Sequence, residues 1–394
     1  MEEENKLRIL FITLCSVEMN TSAMLRNKAL IKGLVSNNAE IDLLTIPSMA
    51  ENNYFDNNEH NIEGVNVIRL VENRIYTSLV KSDFSLMGKI KRMMLPLARK
   101  IYHSLNLFDN TILTAQRVER ESLPTNYYDI IISSSDPKSS HIAARKLIMS
   151  GLEYGKWIQY WGDPFALDIT RESLHPKFYV KNKERNILEL ADSIVYVSPF
   201  TLVEQQKLYS DFESKMCFIP IPYLEKKIYN EGKNNENSAT LGYFGDYKST
   251  VRDITPLYES IKANGQNLIV AGNSDLNLLS TKRISVYPRV SQEKILKFEI
   301  ESDILVCVLN KSGTQIPGKI YHYAATNKPI LVILDGEKKD QIRDYLSDFE
   351  RFVLCENDEH SIMKAIDDIL KVRKGYEPSP YFDSKVIAKQ LLSS

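Results

Sequence analysis

Lys319 and Arg252 are the side chains of this sequence best suited to bind a diphosphate. Lys319 follows a polar loop that contains Gly313 and Gly318, and a short helix is predicted to begin there. A helix start offers backbone N–H groups and a positive dipole end to a phosphate, and the ammonium group of Lys319 adds a full charge. Arg252 follows the loop 245–248 near another predicted helix, and a guanidinium can bind a diphosphate through two parallel hydrogen bonds. Two such cations would stabilise the charge that develops on a diphosphate leaving group.

Each cation also has a purely structural interpretation. The Pro-Gly pair before Lys319 could only shape a turn and leave the ammonium group in solvent. Arg252 could pair with Asp246 or Asp253 at the surface. Residue types alone leave both interpretations open.

Two aspartates are candidates for acid–base chemistry. Asp136 and Asp163 follow two predicted strands, 129–133 and 157–160. Because an open α/β sheet binds its ligands at the carboxyl ends of its strands, we expect both carboxylates near a ligand. Asp163 could accept the proton of an attacking hydroxyl group, and Asp136 is the second candidate. The alternative for Asp163 is an N-cap or Asx turn before Pro164.

The loop after the first predicted strand is small and polar. It reads Cys-Ser-Val-Glu-Met-Asn-Thr-Ser over residues 15–22. We expect Ser16, Asn20 and Thr21 to line a ligand cleft on the side of the first half of the chain.

Short apolar runs that alternate with helical patterns position these residues. Such alternation is typical of βαβ units and a parallel sheet. The strands predicted in the first half are 7–14, 41–46, 65–70, 129–133, 157–160, 194–197 and 216–219. The strands predicted in the second half are 240–244, 267–271, 284–287, 304–309, 330–333 and 352–354.

The predicted organisation is α/β, with two Rossmann-like domains that face a central cleft. The N-terminal domain spans 1–224, and the polar stretch 225–238 is predicted to be an interdomain linker. The C-terminal domain spans 239–377. Residues 378–394 are predicted to form a C-terminal helix that could pack back on the N-terminal domain.

Composition and charge exclude several classes of protein. The 394 residues include 50 Lys plus Arg against 51 Asp plus Glu, so no global field attracts nucleic acid. The four cysteines form no CxxC pair, which indicates a reducing compartment and no metal site of that type. The acidic N-terminus lacks the apolar stretch of a signal peptide, and no apolar run reaches about 18 residues, so we expect a cytoplasmic protein.

The stretch 84–108 contains no acidic residue and has basic and apolar residues at helical spacing. A basic amphipathic stretch can lie on an anionic membrane surface. The alternative is a core helix with a solvated basic face. The basic residues are Lys89, Lys91, Arg92, Arg99 and Lys100.

The segment 315–331, QIPGKIYHYAATNKPIL, resembles the donor-site signature of polysaccharide-building glycosyltransferases related to family 4. The resemblance extends in order over nearly the whole chain, and it implies the GT-B architecture with Lys319 on the donor phosphate. The loop of 285–295 would touch the nucleobase through its backbone. His322 stands where the family usually has an acidic residue that holds the ribose, and a neutral imidazole accepts only one hydrogen bond. The predicted donor-binding residues are Gly245, Lys248, Arg252, Arg289, Val290, Gln315, Ile316, Pro317, Gly318, Lys319 and His322.

The resemblance implies a glycosyltransferase that moves a sugar from a nucleotide-diphosphate donor to a saccharide or lipid-linked acceptor in surface polysaccharide or glycolipid synthesis. The C-terminal domain would bind the donor and the N-terminal domain the acceptor. The family's reaction retains the anomeric configuration and uses no metal and no cofactor. Two alternatives remain open: a nucleotide-sugar 2-epimerase of the same fold, and a catalytically silent partner subunit, which the His322 departure would fit. An inner membrane surface would be a second partner, contacted through 84–108.

Overall fold

The computed structural model describes residues 6–47, 62–71, 104–168, 171, 173–229, 238–372 and 374–394. Of the basic stretch 84–108, residues 84–103 lie outside the described residues. Residues 230–237 of the predicted linker also lie outside them. The chain divides into two compact units. Unit 1 comprises Met1–Pro220 with Ala388–Ser394, and unit 2 comprises Ile221–Ile387.

Unit 1 contains a parallel sheet whose strand order is that of a doubly wound fold. In its described residues the sheet has seven strands in the order β3-β2-β1-β4-β5-β6-β7. The order reverses between β1 and β4, so connections leave in opposite directions from that point. The strands are β1 Leu7–Ile12, β2 Ala39–Thr45, β3 Val65–Arg69, β4 Tyr127–Ser134, β5 Glu153–Trp161, β6 Ser193–Tyr196 and β7 Met216–Phe218.

Helices connect the strands of unit 1 and cover its sheet. α1 begins after Thr21, whose hydroxyl accepts the N–H of Met24 and caps the helix. Trp157 and Trp161 of β5 are fully buried in the core between sheet and helices. The helices are α1 Ser22–Ser36, α2 Ile112–Gln116, α3 Ser139–Met149, α4 Lys177–Leu188 and α5 Pro199–Leu208, with 3₁₀ turns at Arg120–Ser122 and Ser210–Lys215.

Unit 2 repeats the same arrangement with a second parallel sheet. Its described strands follow the order β10-β9-β8-β11-β12-β13, and the order reverses between β8 and β11. This is the strand order of a Rossmann domain. The strands are β8 Thr240–Phe244, β9 Asn267–Ala271, β10 Ile284–Tyr287, β11 Ile304–Val308, β12 Ile330–Leu334 and β13 Val353–Glu356.

Helices of unit 2 lie between most of these strands along the chain, and a further helix follows the last strand. α8 is a single short helical segment, whereas its neighbours have two turns or more. None of the helices among the described residues is long and apolar enough to cross a membrane. The helices are α6 Thr255–Asn264, α7 Gln292–Glu301, α8 Lys319–Tyr323, α9 Lys339–Ser347 and α10 Glu359–Val372, followed by a 3₁₀ turn at Pro380–Phe382. The last helix, α11 Ser384–Ser393, begins in unit 2 and ends in unit 1.

Apolar runs explain why the central strands lie where they do. Every residue of β11 and β12 is buried, as expected for strands of a parallel sheet covered on both faces. Each predicted strand overlaps a strand of the structure. The predicted α/β class with two Rossmann-like sheets is therefore confirmed.

Candidate functional site

Most of the predicted site residues follow strands that flank the point where the strand order of each sheet reverses, whereas Asp163 follows β5 and Arg289 and Val290 follow β10. In unit 1 the loops after β1 and β4 meet at this point, and in unit 2 the loops after β8 and β11 do so. In open α/β sheets the connections diverge there and leave a crevice for ligands at the carboxyl ends of the strands. Each unit therefore has its own candidate site.

Arg252 bridges the two loops at the reversal point of unit 2. Its Nε donates to Oδ1 of Asn310 at 2.8 Å, and its Nη1 approaches the carbonyl oxygen of Asp246 at 3.4 Å. Asp253 instead pairs with Lys311 at 3.2 Å. In the described residues Arg252 thus forms no ion pair with Asp246 or Asp253, and its position between the loops favours the binding interpretation.

Arg289 reaches the same loop from the segment that follows β10. Its Nη1 lies 3.0 Å from Oδ2 of Asp246, and Oδ1 of that carboxylate accepts the N–H of Asn273 at 2.9 Å. Both partners of the ion pair are about one-third exposed, so the pair adds little stability. It does fix the loop after β8 that Arg252 also contacts.

Lys319 is a half-buried cation at the start of α8. Among the described residues none hydrogen-bonds or ion-pairs with its ammonium group, and the ring of Tyr323 lies 5.7 Å from Nζ. Burial lowers the pKa of Lys319; the charge of Glu299 opposes this change, and the charges of Lys227 and Arg289 add to it. A cation withdrawn from water beside other cations favours an anion from outside the chain.

Arg252 and Lys319 act on a common neighbour, the buried thiol of Cys307 in β11. Burial raises the pKa of Cys307 to about 12, and the charges of Arg252 and Lys319 both oppose the rise. The structure therefore brings these two predicted phosphate-binding side chains into one neighbourhood.

Glu299 is a buried carboxylate that the sequence did not single out. It is 4% exposed, and its Oε2 accepts hydrogen bonds from Lys227 Nζ at 3.0 Å and from Tyr229 Oη at 2.8 Å. The partners are about 70 residues away along the chain and lie in the segment taken for a linker, so no local pattern indicates the contact. The carboxylate of Glu299 thus lies close to Lys319, but the two side chains form no ion pair.

The loop before Lys319 is closely packed. Ile316 and Pro317 are buried, and Oε1 of Gln315 is buried without a hydrogen-bond partner in the described part of the chain. Gly318 has an ordinary negative φ, and a Cβ added there would lie 3.7 Å from Ile221, so the fold does not require glycine at this position. The dipole of α8 is weak because the helix has only five residues, which leaves Lys319 as the main attraction for an anion.

Other predicted donor-site residues lie around this centre. His322 is half-buried on α8, and Val290 is half-buried after β10. Lys248 is exposed, and its carbonyl oxygen accepts the N–H groups of Val251 and Arg252 at 2.8 Å. Lys248 thus supports the turn that carries Arg252.

Gly272 is a glycine that the packing of this site requires. A Cβ added to Gly272 would lie 2.0 Å from the carbonyl oxygen of Gly245, whereas a Cβ added to Gly245 would meet nothing within 4 Å. The loops after β8 and β9 approach too closely at Gly272 for any side chain. Of these two glycines, only Gly245 was predicted from the sequence as a site residue.

We expect Gly272→Ala to destabilise unit 2 by about 1–3 kcal/mol or more, because the methyl group would force backbone atoms apart. Gly245→Ala is the matched control and should change the free energy of unfolding by less than about 0.5 kcal/mol. Urea denaturation followed by circular dichroism measures both changes. Equal stability of the two variants would contradict the close approach.

Unit 1 contains a pocket of about 580 Å³ at its reversal point. The pocket combines carboxylates and cations with an aromatic wall, in which the rings of Phe108 and Phe165 stack with centroids 5.0 Å apart. Aromatic faces beside carboxylates suit a ligand that has both apolar faces and hydroxyl groups. Its lining includes Cys15, Thr21, Asn106, Phe108, Asp109, Asp136, Lys138, Phe165, Asp168, Arg171 and Ser173.

Lys138 organises the polar side of this pocket. Its Nζ lies 2.8 Å from Oδ1 of Asp136 and 2.8 Å from Oδ2 of Asp168. The Lys138 and Asp168 side chains are each about one-tenth exposed, so this pair is shielded from water. No group of three or more His, Cys, Asp or Glu side chains in the described ranges is arranged to hold a metal ion.

Asp163 has a strongly perturbed carboxyl group. Burial raises its pKa to about 7; Asp136 and Asp168 add to the rise, and Lys138 and Arg26 oppose it. Within the described residues its carboxylate forms no hydrogen bond, so the structure shows neither an N-cap nor an Asx turn at this position. Asp163 is not among the described residues that line the pocket, so its perturbed pKa is the feature that makes it a candidate for proton exchange with a ligand.

The loop after β1 is held by hydrogen bonds and an ion pair that the sequence did not predict. Ser16 is buried, and its hydroxyl donates to Glu18, which also binds Arg69 at 2.8 Å. Thr21 caps α1 and lines the pocket, and Asn20 is half-buried beside it. Of the three residues predicted in this loop, the structure places Thr21 at the pocket.

No protein-family model matches the chain, and no curated protein sequence matches it. Solved structures do match over nearly its full length. Sucrose-phosphate synthase from Thermosynechococcus elongatus is 13% identical, with 98% of this chain and 94% of that chain covered and a TM-score of 0.55. A lipopolysaccharide outer core galactosyltransferase is 12% identical, with 98% of each chain covered and a TM-score of 0.54.

A third match comes from a plant enzyme. The catalytic domain of starch synthase IV from Arabidopsis thaliana, solved with ADP and acarbose, is 10% identical, with 99% of this chain and 95% of that chain covered and a TM-score of 0.57. At such identities the likeness establishes the fold. These proteins are glycosyltransferases of the GT-B fold, and this chain has that fold, which confirms the predicted architecture.

Proposed function

We propose that the protein is a glycosyltransferase that moves a sugar from a nucleotide-diphosphate donor, bound by unit 2, to a hydroxyl group of an acceptor, bound by unit 1. The observation that carries this proposal is the half-buried ammonium group of Lys319, which has no hydrogen bond or ion pair within the described residues and lies in the neighbourhood of Arg252. A buried cation without a carboxylate is costly unless a ligand supplies the opposite charge. The GT-B fold and the resemblance of 315–331 support a diphosphate as that ligand.

The donor half of the reaction requires stabilisation of the leaving diphosphate. When the bond between the sugar and the diphosphate breaks, negative charge grows on the phosphate oxygens. Lys319 and Arg252 are held in place before the reaction, so they stabilise this charge without reorganisation. Because two fixed cations neutralise the diphosphate, the proposed reaction needs no metal ion.

His322 is the proposed ribose contact. Its imidazole replaces the acidic residue that similar proteins carry, and it accepts one hydrogen bond where a carboxylate accepts from both hydroxyls. The donor would therefore be bound more weakly through its ribose, and the phosphate contacts would carry more of the affinity.

The acceptor half requires removal of a proton from the attacking hydroxyl group. Asp163 is the proposed proton acceptor, because its pKa of about 7 lets it bind and release a proton near neutrality. Asp136 and Asp168 are held by Lys138 and would bind other hydroxyl groups of the acceptor. We propose a saccharide or lipid-linked acceptor and retention of anomeric configuration, as in the proteins that the sequence resembles. Retention requires the hydroxyl group to attack on the face of the sugar from which the diphosphate leaves.

A thermal-shift screen with nucleotide-sugars tests this proposal. A ligand at 100 times its dissociation constant adds about 2.7 kcal/mol to the free energy of unfolding. We expect at least one nucleotide-sugar to raise the melting temperature of the wild-type protein, and Lys319→Ala to reduce the shift. A panel without any shift would favour a catalytically silent subunit, and an epimerised sugar formed from donor alone would favour a 2-epimerase.

A further inference from the structure

Arg26 is a buried cation on α1 that the mechanism above does not use. The residue is 6% exposed, and within the described part of the chain it forms no ion pair. Its Nη2 donates to the carbonyl oxygen of Ser135 in the loop after β4, and its Cζ lies 5.5 Å from the centroid of the Tyr160 ring. Because a guanidinium group is costly to bury without a carboxylate partner, its position needs another explanation.

The guanidinium group lies against the backbone of Gly162, the first residue after β5. A Cβ added to Gly162 would lie 2.7 Å from Cζ of Arg26, so no side chain fits between them. The N–H of Gly162 donates to Oγ of Ser135 at 3.2 Å, and the carbonyl oxygen of Ser135 accepts from Arg26. Arg26 and Ser135 thus hold the residue that immediately precedes Asp163.

The same loop is held at its other end by Glu184 of α4. Glu184 is fully buried, and its two carboxylate oxygens accept the N–H groups of Phe165 and Ala166 at 2.9 Å each. The backbone is therefore fixed on both sides of Asp163, by Arg26 before it and by Glu184 after it.

The charges around Asp163 explain why a cation is placed at this loop. Lys138 lies 2.8 Å from carboxylate oxygens of both Asp136 and Asp168. These pairs leave Asp163 as the third carboxylate of the group and Arg26 as the second cation that acts on it. Burial and the charges of Asp136 and Asp168 raise the pKa of Asp163, and the charges of Lys138 and Arg26 lower it.

We propose that Arg26 is a positioning residue for Asp163: its guanidinium group, lying against Gly162, fixes the backbone that carries Asp163 and holds a positive charge near its carboxylate. Arg26 is not among the described residues that line the pocket, so its effect on the reaction passes through Asp163. The contact with Gly162 is independent of any reaction. Its consequence for turnover rests on the proposed function.

The pH dependence of turnover in Arg26→Met tests this role. Met has a side chain of similar length but no charge and no hydrogen-bond donor. Because the charge of Arg26 lowers the pKa of Asp163, its loss should move the midpoint of the rise in rate upward by at least about half a pH unit. The less firmly held loop should also lower the maximal rate at high pH at least about fivefold. A merely structural role would lower the rate equally at every pH and leave the midpoint unchanged.

Gly162→Ala disturbs the same contact from its other partner and tests the role even if Arg26→Met does not fold. The added methyl group would overlap the guanidinium group, which must then move away from the loop. We expect an upward shift of the midpoint here too. The double variant should shift no further than Arg26→Met, since both substitutions break one contact, and additive shifts would overturn the proposal. Arg8→Met, at an exposed position on β1, is the matched control and should keep the wild-type midpoint and rate.

A titration without turnover separates this proposal from the proposed function. The carboxyl ¹³C resonance of Asp163 is assigned by its absence in Asp163→Asn and is followed with pH in the wild type, Arg26→Met and Gly162→Ala. We expect a higher titration midpoint in both variants, whether or not the protein transfers a sugar. Equal midpoints in all three proteins would overturn the role of Arg26. A shifted midpoint in a protein that transfers no sugar would support the contact and overturn the proposed function.

Discussion

Lys319→Ala should reduce the rate of glycosyl transfer about 10²- to 10³-fold while the protein stays folded. The variant removes a cation that faces the leaving diphosphate, and losing one such contact costs about 2–4 kcal/mol of transition-state stabilisation. In the described residues Lys319 has no hydrogen bond or ion pair to lose, so the free energy of unfolding should not fall. Loss of an ammonium group whose pKa is lowered by burial should even stabilise the apo protein.

Lys262→Ala is the control for this experiment. It removes the same charge from an exposed position on α6, where the side chain pairs with Glu259. Its transfer rate should equal that of the wild type. Full activity of Lys319→Ala in an assay that detects a hundredfold loss would remove Lys319 from the donor site.

Asp163→Asn should lower turnover by about 10²-fold or more and leave donor binding unchanged. Asn keeps the size of the side chain but cannot accept the proton of the acceptor hydroxyl. With a pKa of about 7, the wild-type rate should rise with pH through neutrality, because only the deprotonated carboxylate is a base. The Asn variant should show a low rate without this rise.

The free energy of unfolding of Asp163→Asn tests the role of Asp163 independently. Because folding raises the pKa of Asp163, its contribution to stability is present below the unfolded pKa of about 3.8 and is lost as pH rises through about 7. Asp163→Asn should therefore be more stable than the wild type above pH 7. A residue with a purely structural role would lose stability on substitution.

Calorimetry with the donor and chemical denaturation at pH 5 and pH 8 measure these effects. Asp211→Asn, which removes an exposed partner of Arg185, is the matched control in unit 1. Intact turnover of Asp163→Asn would assign the residue to the scaffold and make Asp136 the next candidate.

The strands and the two sheets could be predicted because their signals are local. A run such as Ile330–Leu334 is apolar at every position, and it is buried at every position in the sheet. Lys319 and Arg252 could be proposed as site residues for the same reason, since each follows a loop with its own glycine pattern after a strand.

Much of the candidate site depends on contacts between distant residues and has no local signal. Lys138 pairs with Asp168 thirty positions away, and Glu299 binds Lys227 and Tyr229 about seventy positions away. The need for glycine at position 272 arises only when the loops after β8 and β9 meet. The alternative interpretations of Arg252 and Asp163 likewise depend on their partners in the fold, and local sequence does not predict those partners.

Calorimetric titration of nucleoside diphosphates tests the central claim, that unit 2 binds a diphosphate through Lys319, without knowledge of the acceptor. The wild-type protein and Lys319→Ala are each titrated with the common nucleoside diphosphates and with the corresponding nucleosides. We predict that at least one diphosphate binds the wild type, that its affinity falls at least about tenfold in Lys319→Ala, and that the nucleosides bind both proteins weakly and equally. Equal affinity of the diphosphates for both proteins, or no binding of any diphosphate to the wild type, would contradict the claim.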